Sequence, residues 1–495
     1  MIQLATILSR APLAMSAPLV QVEVHLSPGL PSMTLVGLPE KAVKESKDRV
    51  RAALLNSGFE FPQKRITINL APADLPKDGA RYDLAIALGI LAASAQIPAA
   101  SLHGIECHGE LGLAGDIRAV SGILPCAVAA DEAGHTLLVP EANLAEAALI
   151  SRDNLRHART LAELAAILFG RAAWPPLPEA LPAAPPRYPD FADVIGQEAA
   201  KRALLIAAAG GHHILLSGPP GTGKSMLAQR LPGILPPMSR EEAIATATIH
   251  SLASQGFAIE HWQKRPYRAP HHSSSAVALV GGGSIPRPGE ISLAHNGILF
   301  LDEMPEFDRR VLEMLREPLE NGHISLSRAA MKCDYPAAFQ LVGAMNPCPC
   351  GYHGDPDRPC TDTPDQVARY RQKLSGPLLD RIDLHVTVNR IPPDKLRDSP
   401  QSHTSSAELA ARVAAAHERQ LARQGMRNSA LPHTRDLVAT PAALALLDRA
   451  TAQMHLSMRA HQRILKVART IADLDAASAI DLAHIAEALQ YRGWQ

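Results

Sequence analysis

The chain is poor in aromatic residues and carries no net charge. Phe, Trp and Tyr make up 4% of its 495 residues, which argues against partner recognition through broad aromatic stacking platforms. Lys and Arg together number 49, as do Asp and Glu, so no global positive field would attract nucleic acid. Any nucleic-acid contact would have to come from local patches, or from a ring that gathers one patch per subunit.

Signals for secretion or membrane insertion are also missing. The first 20 residues lack a basic stretch followed by an unbroken apolar core, so we read no signal peptide. The longest apolar run, 84–93, is too short to span a bilayer and predicts a buried helix. Six cysteines in a chain of this length do not form a disulfide framework. These features predict a cytoplasmic protein with no membrane partner.

Two proline-containing polar stretches divide the sequence. The first, 171–189, holds seven prolines and has the composition of a stiff, extended linker. The second, 391–406, precedes a tail that has helical periodicity alone. We therefore predict an α/β domain over 1–170, a linker over 171–189, a core domain over 190–390 and a helical domain over 391–495.

Hydrophobic periodicity gives the fold class. In the first domain it predicts strands over 20–26 and 66–72 and helices over 39–58 and 82–95. After the linker, the buried runs HILLSG, ILFLDE and FQLVGAMN alternate with helices, as in a parallel sheet covered on both faces. The tail contains four helical segments. The prediction is an α/β protein with a C-terminal helical bundle.

The strongest motif is a glycine-rich loop between a predicted strand and a predicted helix, with the P-loop pattern G-x-x-x-x-G-K-S. Its glycines let backbone N–H groups curl around an anion, and the helix N-terminus adds partial positive charge. We expect Lys224 to contact the β- and γ-phosphates of ATP, and the Ser225 hydroxyl to bind Mg²⁺. The predicted phosphate-binding residues are Gly218, Pro219, Pro220, Gly221, Thr222, Gly223, Lys224 and Ser225.

A second motif is an apolar run that ends in two acids, GILFLDE (297–303). Such a run predicts a buried parallel strand that delivers its acids to the ligand-binding edge of the sheet. We expect Asp302 to hold Mg²⁺ through water and Glu303 to polarise the attacking water. The second acid favours hydrolysis over nucleotide binding alone.

Longer strings resemble those of the magnesium-chelatase-like AAA+ ATPases, and within that group the ComM/YifB family. They are RPYRAPHHSSS (265–275), GGGSIPRPGEISLAHNGILFLDEMPEF (281–307), LREPLENG (315–322) and SGPLLDRID (375–383). The resemblance covers nearly the whole chain. It implies a homo-oligomeric motor, a hexameric ring, that hydrolyses ATP and acts as a helicase or translocase on branched or single-stranded DNA. The implied process is branch migration during recombination in natural transformation.

The same resemblance implies roles for single residues. Asn346, after the FQLVGAM run, looks like the sensor that positions the lytic water, although a polar strand-end cap would read the same way. Arg381 resembles the arginine finger that reaches into a neighbouring subunit, with a surface salt bridge as the alternative. Arg459 looks like the second sensor that contacts the γ-phosphate, and Arg463, one turn later, is its rival. The segment 193–197 resembles one that packs on adenine.

Two histidines and a glycine run lie in the family-specific strings. His271 and His272 suggest a metal site or a catalytic base, but we see no third ligand at a suitable spacing. We prefer a loop role for them, facing a ring pore or supporting the insert. The run 281–284 fits a mobile tip, and contact with DNA is implied there by family analogy alone.

A cysteine cluster, NPCPCGYHGDPDRPC, offers Cys348, Cys350 and Cys360. A structural zinc site completed by His353 or Cys333 is one interpretation, since zinc needs four tetrahedral ligands. Reduced thiols in a surface loop are the interpretation we prefer. The family resemblance implies a further cysteine at the position where this chain has Asp362.

The N-terminal region resembles the Lon-type protease fold through PKDGARYDLAIALGIL and GDIRAVSGILPCAVAADEAGHTLLVP. In that protease a serine nucleophile and a lysine base occupy positions that here fall at Arg81 and about Leu124. Neither residue can perform those roles, and Ser121 has no partner lysine. We therefore predict a Lon-protease-like domain without proteolysis. Two alternatives to the DNA motor stay open: a magnesium-chelatase-like motor and an ATP-dependent protein remodeller.

Overall fold

Two sheets and a helical bundle make up the architecture of the computed structural model. It describes residues 3–37, 43, 45–179, 186–253, 255–283, 286–328, 331–391 and 404–492. In that part of the chain, no helix is both long and apolar enough to cross a membrane. The predicted mixed α/β class with a helical C-terminal region is confirmed.

The N-terminal sheet has seven strands among the described residues, in the order β3-β4-β2-β1-β5-β8-β9. Alternate residues of β2 are buried, because one face of the sheet packs on the N-terminal core. The strands predicted over 20–26 and 66–72 are confirmed as β2 and β4. The strands are β1 (Gln3–Arg10), β2 (Leu19–Ser27), β3 (Ser32–Val36), β4 (Arg65–Ala71), β5 (Ile105–Cys107), β6 (Glu110–Leu111), β7 (Ile117–Arg118), β8 (Thr136–Pro140) and β9 (Leu155–Ala158), with β6 and β7 forming a separate hairpin.

Five helices accompany this sheet in the described residues. The helix Asp83–Ala93 is buried along almost its whole length, as its long apolar run predicts. The helix predicted over 39–58 is observed as Ser46–Asn56; Gly58 follows its C-cap with φ +82°, a conformation that ends helices. Residues 39–42 and 44 of that prediction lie outside the described residues. The other helices are Ile123–Glu132, Leu144–Ala147 and Leu161–Leu168.

The second sheet is parallel throughout, with the order β11-β14-β17-β10-β18. Its three central strands are buried at every residue, which is why they read as unbroken apolar runs in the sequence. The strands are β10 (Ile214–Ser217), β11 (Tyr267–Arg268), β14 (Ile298–Leu301), β17 (Gln340–Met345) and β18 (Leu384–Thr387). Two hairpins project from this core, one of β12 (Gly281–Gly282) with β13 (Arg287–Pro288), the other of β15 (His323–Arg328) with β16 (Met331–Pro336).

Short helices surround the parallel sheet. They are Glu198–Gly210, Lys224–Arg230, Arg240–Ser251, Ala276–Val280, Glu290–Leu293, Arg309–Met314, Arg316–Asn321, Pro364–Gln372 and Gly376–Leu379. The helix Arg240–Ser251 also meets the N-terminal domain, where Ser251 O accepts the Gly122 N–H at 2.9 Å. The two α/β units are therefore in direct contact.

The four helices predicted in the tail are confirmed. Each begins after a residue whose side chain accepts a backbone N–H of the first turn, the arrangement that satisfies orphan donors at a helix start. Their apolar faces share one core with the central strands of the parallel sheet. The helices are Ser406–Gln424, Pro441–Gln453, Met458–Leu474 and Leu482–Gln490, capped by Ser405, Thr440, Ser457 and Asp481.

The predicted linker has neither helix nor strand over 171–179 and 186–189. Its ends nevertheless make contacts: Trp174 packs on the N-terminal core, and the Tyr188 hydroxyl accepts the Arg265 N–H at 2.8 Å. Residues 180–185, and 392–403 of the second break, lie outside the described residues. The exact domain limits remain predictions.

Candidate nucleotide-binding site

Three parallel strands deliver the predicted catalytic residues to one edge of the sheet. Leu301 of β14 lies opposite Gly343 of β17, and Ser217 of β10 lies opposite Met345. The residues that follow these strands therefore emerge together at the carboxyl edge, where open α/β sheets bind ligands. They are Gly218 of the P-loop, the Asp302–Glu303 pair and Asn346.

The glycines of the P-loop meet two separate requirements. Gly221 and Gly223 have φ of +76° and +89°, which side-chain-bearing residues rarely adopt. At Gly218, a Cβ would lie 2.1 Å from the carbonyl oxygen of Val388. Val388 directly follows β18, and the backbone there leaves room for glycine alone. The loop then enters the helix Lys224–Arg230 with Gly223 as its N-cap.

Lys224 connects the loop to the end of β17. Its Nζ donates to the carbonyl oxygens of Gly218 at 2.7 Å and Pro219 at 2.8 Å, and to Asn346 Oδ1 at 3.3 Å. Burial lowers the pKa of Lys224, and the nearby carboxylates of Asp302 and Glu303 oppose that shift. The predicted phosphate ligand and the predicted sensor thus belong to one site.

The two predicted metal-binding residues are hydrogen-bonded to each other. Ser225 Oγ donates to Asp302 Oδ2 at 2.7 Å, and Asp302 Oδ1 accepts the backbone N–H of Glu303 at 2.9 Å. A hydroxyl and a carboxylate oxygen are the hard donors that Mg²⁺ prefers. The donor set therefore fits Mg²⁺ bound together with the phosphates of ATP.

Glu303 has a partner that the sequence analysis did not assign to this site. His272 Nδ1 lies 3.2 Å from Glu303 Oε2, and the edge of its ring contacts Phe307. Glu303 also has φ +50°, unusual for a residue with a side chain and often found at functional positions. We expected His271 and His272 to act in a loop at a pore or in support of the insert. Both histidines lie in a loop and border a cavity of about 340 Å³ together with Ser225, Asp302 and Glu303; the pore role stays a prediction.

Arg381 and Arg459 lie at the opposite edge of the sheet. Arg381 precedes β18, whose first residue Leu384 pairs with Ile214, the first residue of β10. A strand of four residues spans about 13 Å, so Arg381 is separated by that length from the P-loop of its own chain. The structure therefore does not bring Arg381 together with Lys224.

Arg381 and Arg459 share one acidic neighbour, Glu320. Arg381 is buried and forms an ion pair with Glu320, and Arg459, 72% exposed, lies 3.8 Å from the same carboxylate. Arg463, the rival of Arg459, donates instead to Asp383 at 2.6 Å and to the Arg381 carbonyl at 2.9 Å. Arg463 is thus occupied within the chain, whereas Arg459 is accessible to a neighbour.

The segment expected to pack on adenine lies beside the P-loop. Gln197 Nε2 donates to the carbonyl oxygens of Asn389 at 2.7 Å and Thr222 at 3.2 Å. These two hydrogen bonds connect the segment 193–197 to the P-loop and to the backbone just after β18.

The residues at the protease positions form no nucleophile–base pair. Arg81 Nη2 donates to the Ser121 carbonyl at 2.9 Å, and the Leu124 side chain is fully buried. These contacts are structural, since neither side chain can take or supply a catalytic proton.

The cysteine cluster is real, but its fourth member differs from our expectation. Donor atoms of Cys348, Cys350, Cys360 and Asp362 lie within 4.8 Å of one another. In the described part of the chain, neither His353 nor Cys333 joins this group. Asp362, noted in the sequence only as a replaced cysteine, takes the place we considered for them.

The fold and the site define the class of protein. The chain combines a parallel sheet, a P-loop, two acids after a neighbouring strand and a C-terminal helical bundle. This is the arrangement of AAA+ ATPases of the magnesium-chelatase-like type. Three family models match consecutive parts of the chain. "Subunit ChlI of Mg-chelatase" matches residues 22–143, "Magnesium chelatase, subunit ChlI" matches 190–396, and "Magnesium chelatase, subunit ChlI C-terminal" matches 403–492.

Full-length relatives narrow the class. The chain is 51% identical over 494 residues to YifB of Salmonella typhimurium, covering 99% of this chain and 97% of the relative. It is 49% identical over 498 residues to the competence protein ComM of Haemophilus influenzae, with the same coverage. The chain belongs to the ComM/YifB family of magnesium-chelatase-like AAA+ proteins. The magnesium-chelatase subunit ChlI of Cyanophora paradoxa is 25% identical over 231 residues, 42% of this chain and 60% of that protein.

Proposed function

We propose that this protein is the subunit of a homo-oligomeric ring, a hexamer, that hydrolyses ATP to move along branched or single-stranded DNA. The proposed process is branch migration during recombination of incoming strands in competent cells. The DNA part is supported by the competence protein ComM, to which the chain is 49% identical over nearly its whole length. The chelatase subunit of Cyanophora paradoxa covers less than half of the chain, which favours the DNA motor over a chelatase motor.

The proposed chemistry uses side chains of one subunit for binding and water activation. Lys224 binds the phosphates and Ser225 supplies a hydroxyl ligand to Mg²⁺. Asp302 orients the metal's water and Glu303 takes up the proton of the attacking water. Asn346, hydrogen-bonded to Lys224, positions that water. Ser225 and Asp302 would hold Mg²⁺, which would neutralise the charge that develops on the transferred phosphoryl group.

The observation that carries the ring proposal is the position of Arg381. The charge that develops on the phosphoryl oxygens calls for a cationic donor, and an arginine contributed by a neighbour is a recurrent solution. Arg381 and Arg459 lie at the sheet edge away from their own P-loop and close to each other, at Glu320. We therefore assign both arginines to the phosphate site of the adjacent subunit: Arg459 is exposed and couples the helical lid to that site, whereas Arg381 has to leave its ion pair with Glu320 to reach it.

The test is ATP hydrolysis by the purified protein with and without a four-way DNA junction, alongside strand-resolved junction migration. We expect the junction to stimulate turnover and its strands to exchange, and Lys224→Ala to abolish both. A DNA duplex of equal length serves as the control for non-specific stimulation. ATPase activity indifferent to every DNA would overturn the DNA motor and favour protein remodelling.

A further inference from the structure

The segment between β17 and the helix Pro364–Gln372 has no regular structure and little core. Over residues 346–363 it contains neither helix nor strand, and its buried residues are Pro347, Cys348 and Gly351. Irregular loops of this length are uncommon in compact domains and are usually functional. So few buried apolar groups cannot offset the entropy of ordering the segment, and some other interaction must hold it.

Three thiols of this segment converge on one point. The Sγ atom of Cys348 lies 3.3 Å from that of Cys350 and 3.6 Å from that of Cys360, and the third separation is 3.5 Å. These distances exclude disulfides, and all three cysteines are free. Zn–S bonds of about 2.3 Å give a tetrahedron with S···S edges of about 3.8 Å, so the triangle matches within a few tenths of an ångström.

A carboxylate completes the fourth corner. Asp362 Oδ2 lies 3.9 Å from Cys360 Sγ and accepts the Cys350 N–H at 2.8 Å. The sulfur of Cys348 similarly accepts the His353 N–H at 3.3 Å. Backbone donors to ligand atoms are typical of metal sites, where they orient the ligands and stabilise their negative charge.

The donor set selects the ion. Three sulfurs and one carboxylate oxygen, all within 4.8 Å of one another, supply the four ligand atoms that a single tetrahedral ion needs. Three soft sulfurs exclude Mg²⁺ and Ca²⁺, which prefer oxygen, whereas zinc binds both thiolate and carboxylate in a tetrahedron. We propose that Cys348, Cys350, Cys360 and Asp362 bind one structural zinc ion.

The zinc site lies next to the nucleotide site, both along the chain and in the packing of its loop. Gly351 has φ +87°, and a Cβ there would lie 2.8 Å from Cδ of Pro220 in the P-loop. Asn346 is the first residue of the segment, and Arg371 Nε donates to the carbonyl oxygen of the next residue, Pro347, at 3.3 Å. Zinc binding therefore fixes the backbone that carries Asn346 and backs the P-loop. This link to hydrolysis rests on the proposed function, but the metal site itself does not.

The test begins with metal analysis of the untagged full-length chain, purified under reducing conditions without chelators. We expect about one zinc ion per chain, released by a mercurial that blocks thiols. The Cys360→Ala variant should contain little zinc, and Asp362→Ala should lose zinc to a competing chelator about tenfold more readily than the wild type. The matched control is His353→Ala, in the same loop, because this residue contributes only its backbone N–H.

Cobalt substitution and one further variant keep the ligand assignment falsifiable if Cys360→Ala fails to fold. Each thiolate ligand adds to the sulfur-to-cobalt charge-transfer absorption, so Asp362→Cys should raise that band by about a third, from three thiolates to four. Absence of zinc from the purified protein and after reconstitution would overturn the site. Loss of zinc from His353→Ala, with retention in Asp362→Ala, would overturn the ligand set. ATPase activity enters neither readout, so the result stands apart from the proposed function.

Discussion

His272 Nδ1 lies 3.2 Å from Oε2 of Glu303, although the two residues are 31 positions apart in the chain. Glu303 is the residue expected to activate water, and its carboxylate is half exposed at the mouth of the cavity. A side chain of such freedom has to be oriented before it can act as a base, because misplacement by about 1 Å can cost up to 100-fold in rate. His272 is the orienting partner that the structure provides.

Replacement of His272 should therefore lower turnover more than ATP affinity. We expect His272→Ala to reduce the steady-state ATPase rate by about tenfold while leaving the Kd for ATP within about twofold. The comparison is His271→Ala: its Nδ1 contacts Ser273 and not Glu303, and its ring lies 4.1 Å from that of His272, so its loss should be the smaller of the two. Equal losses in both variants, or a full rate for His272→Ala, would contradict the orienting role.

The hydrogen bond between Ser225 and Asp302 predicts a magnesium defect. Ser225→Ala removes one oxygen of the pair, so the Mg²⁺ concentration for half-maximal ATPase activity should rise by about tenfold. Ser225→Thr retains the hydroxyl and should stay close to the wild type. Titration of ATPase activity with Mg²⁺ at saturating ATP measures this, and an unchanged midpoint in Ser225→Ala would exclude a metal-binding role.

The separation of Arg381 from its own P-loop predicts complementation between two inactive variants. Arg381→Ala should bind ATP but hydrolyse it at least about 100-fold more slowly, as loss of a trans arginine does in related chemistry. A Lys224→Ala subunit should not hydrolyse ATP in its own site, but its Arg381 should still be available to the site of the adjacent subunit. Mixed rings of the two contain some interfaces with an intact P-loop and an intact Arg381, so mixing should restore measurable hydrolysis.

The control for that mixture is the double variant Lys224→Ala/Arg381→Ala, which offers neither group and should restore nothing to either single variant. ATPase activity that stays at the level of the separate variants, in rings shown to have exchanged subunits, would mean that Arg381 acts within its own subunit.

The parts of this site that are contiguous in the chain could be predicted from the sequence. The contacts that depend on which strands lie side by side could not. The P-loop is one contiguous segment, and Asp302 follows an apolar strand that is recognisable by itself. The pairing of His272 with Glu303 needs β11 to lie beside β14, and the isolation of Arg381 needs the direction of β18. Neither relationship is contained in spacing along the chain. Asp362 was noted in the sequence, but its convergence on three sulfurs depends on how an irregular loop folds.

Two buried and two half-buried histidines predict a loss of stability in mild acid. Burial lowers the pKa of His108 to about 3 and that of His213, His295 and His385 to about 4. They stay neutral in the folded chain, whereas in the unfolded chain a histidine takes up a proton near pH 6.5. The unfolded state thus binds more protons, and the stabilisation present above pH 6.5 is lost as the pH falls from about 6.5 towards 4.

Each of these histidines contributes up to about 1.4 kcal/mol per pH unit to that slope. We expect the thermal unfolding midpoint to fall between pH 7.5 and 5, and His108→Leu to reduce the fall because it removes one proton-binding group from the N-terminal core. Exposed His103, replaced by Gln in the same domain, is the control and should leave the slope unchanged. Because the N-terminal sheet and the parallel sheet have separate cores, the midpoint of the N-terminal transition should be followed separately. An equal slope in wild type and His108→Leu would mean that other groups govern the acid response.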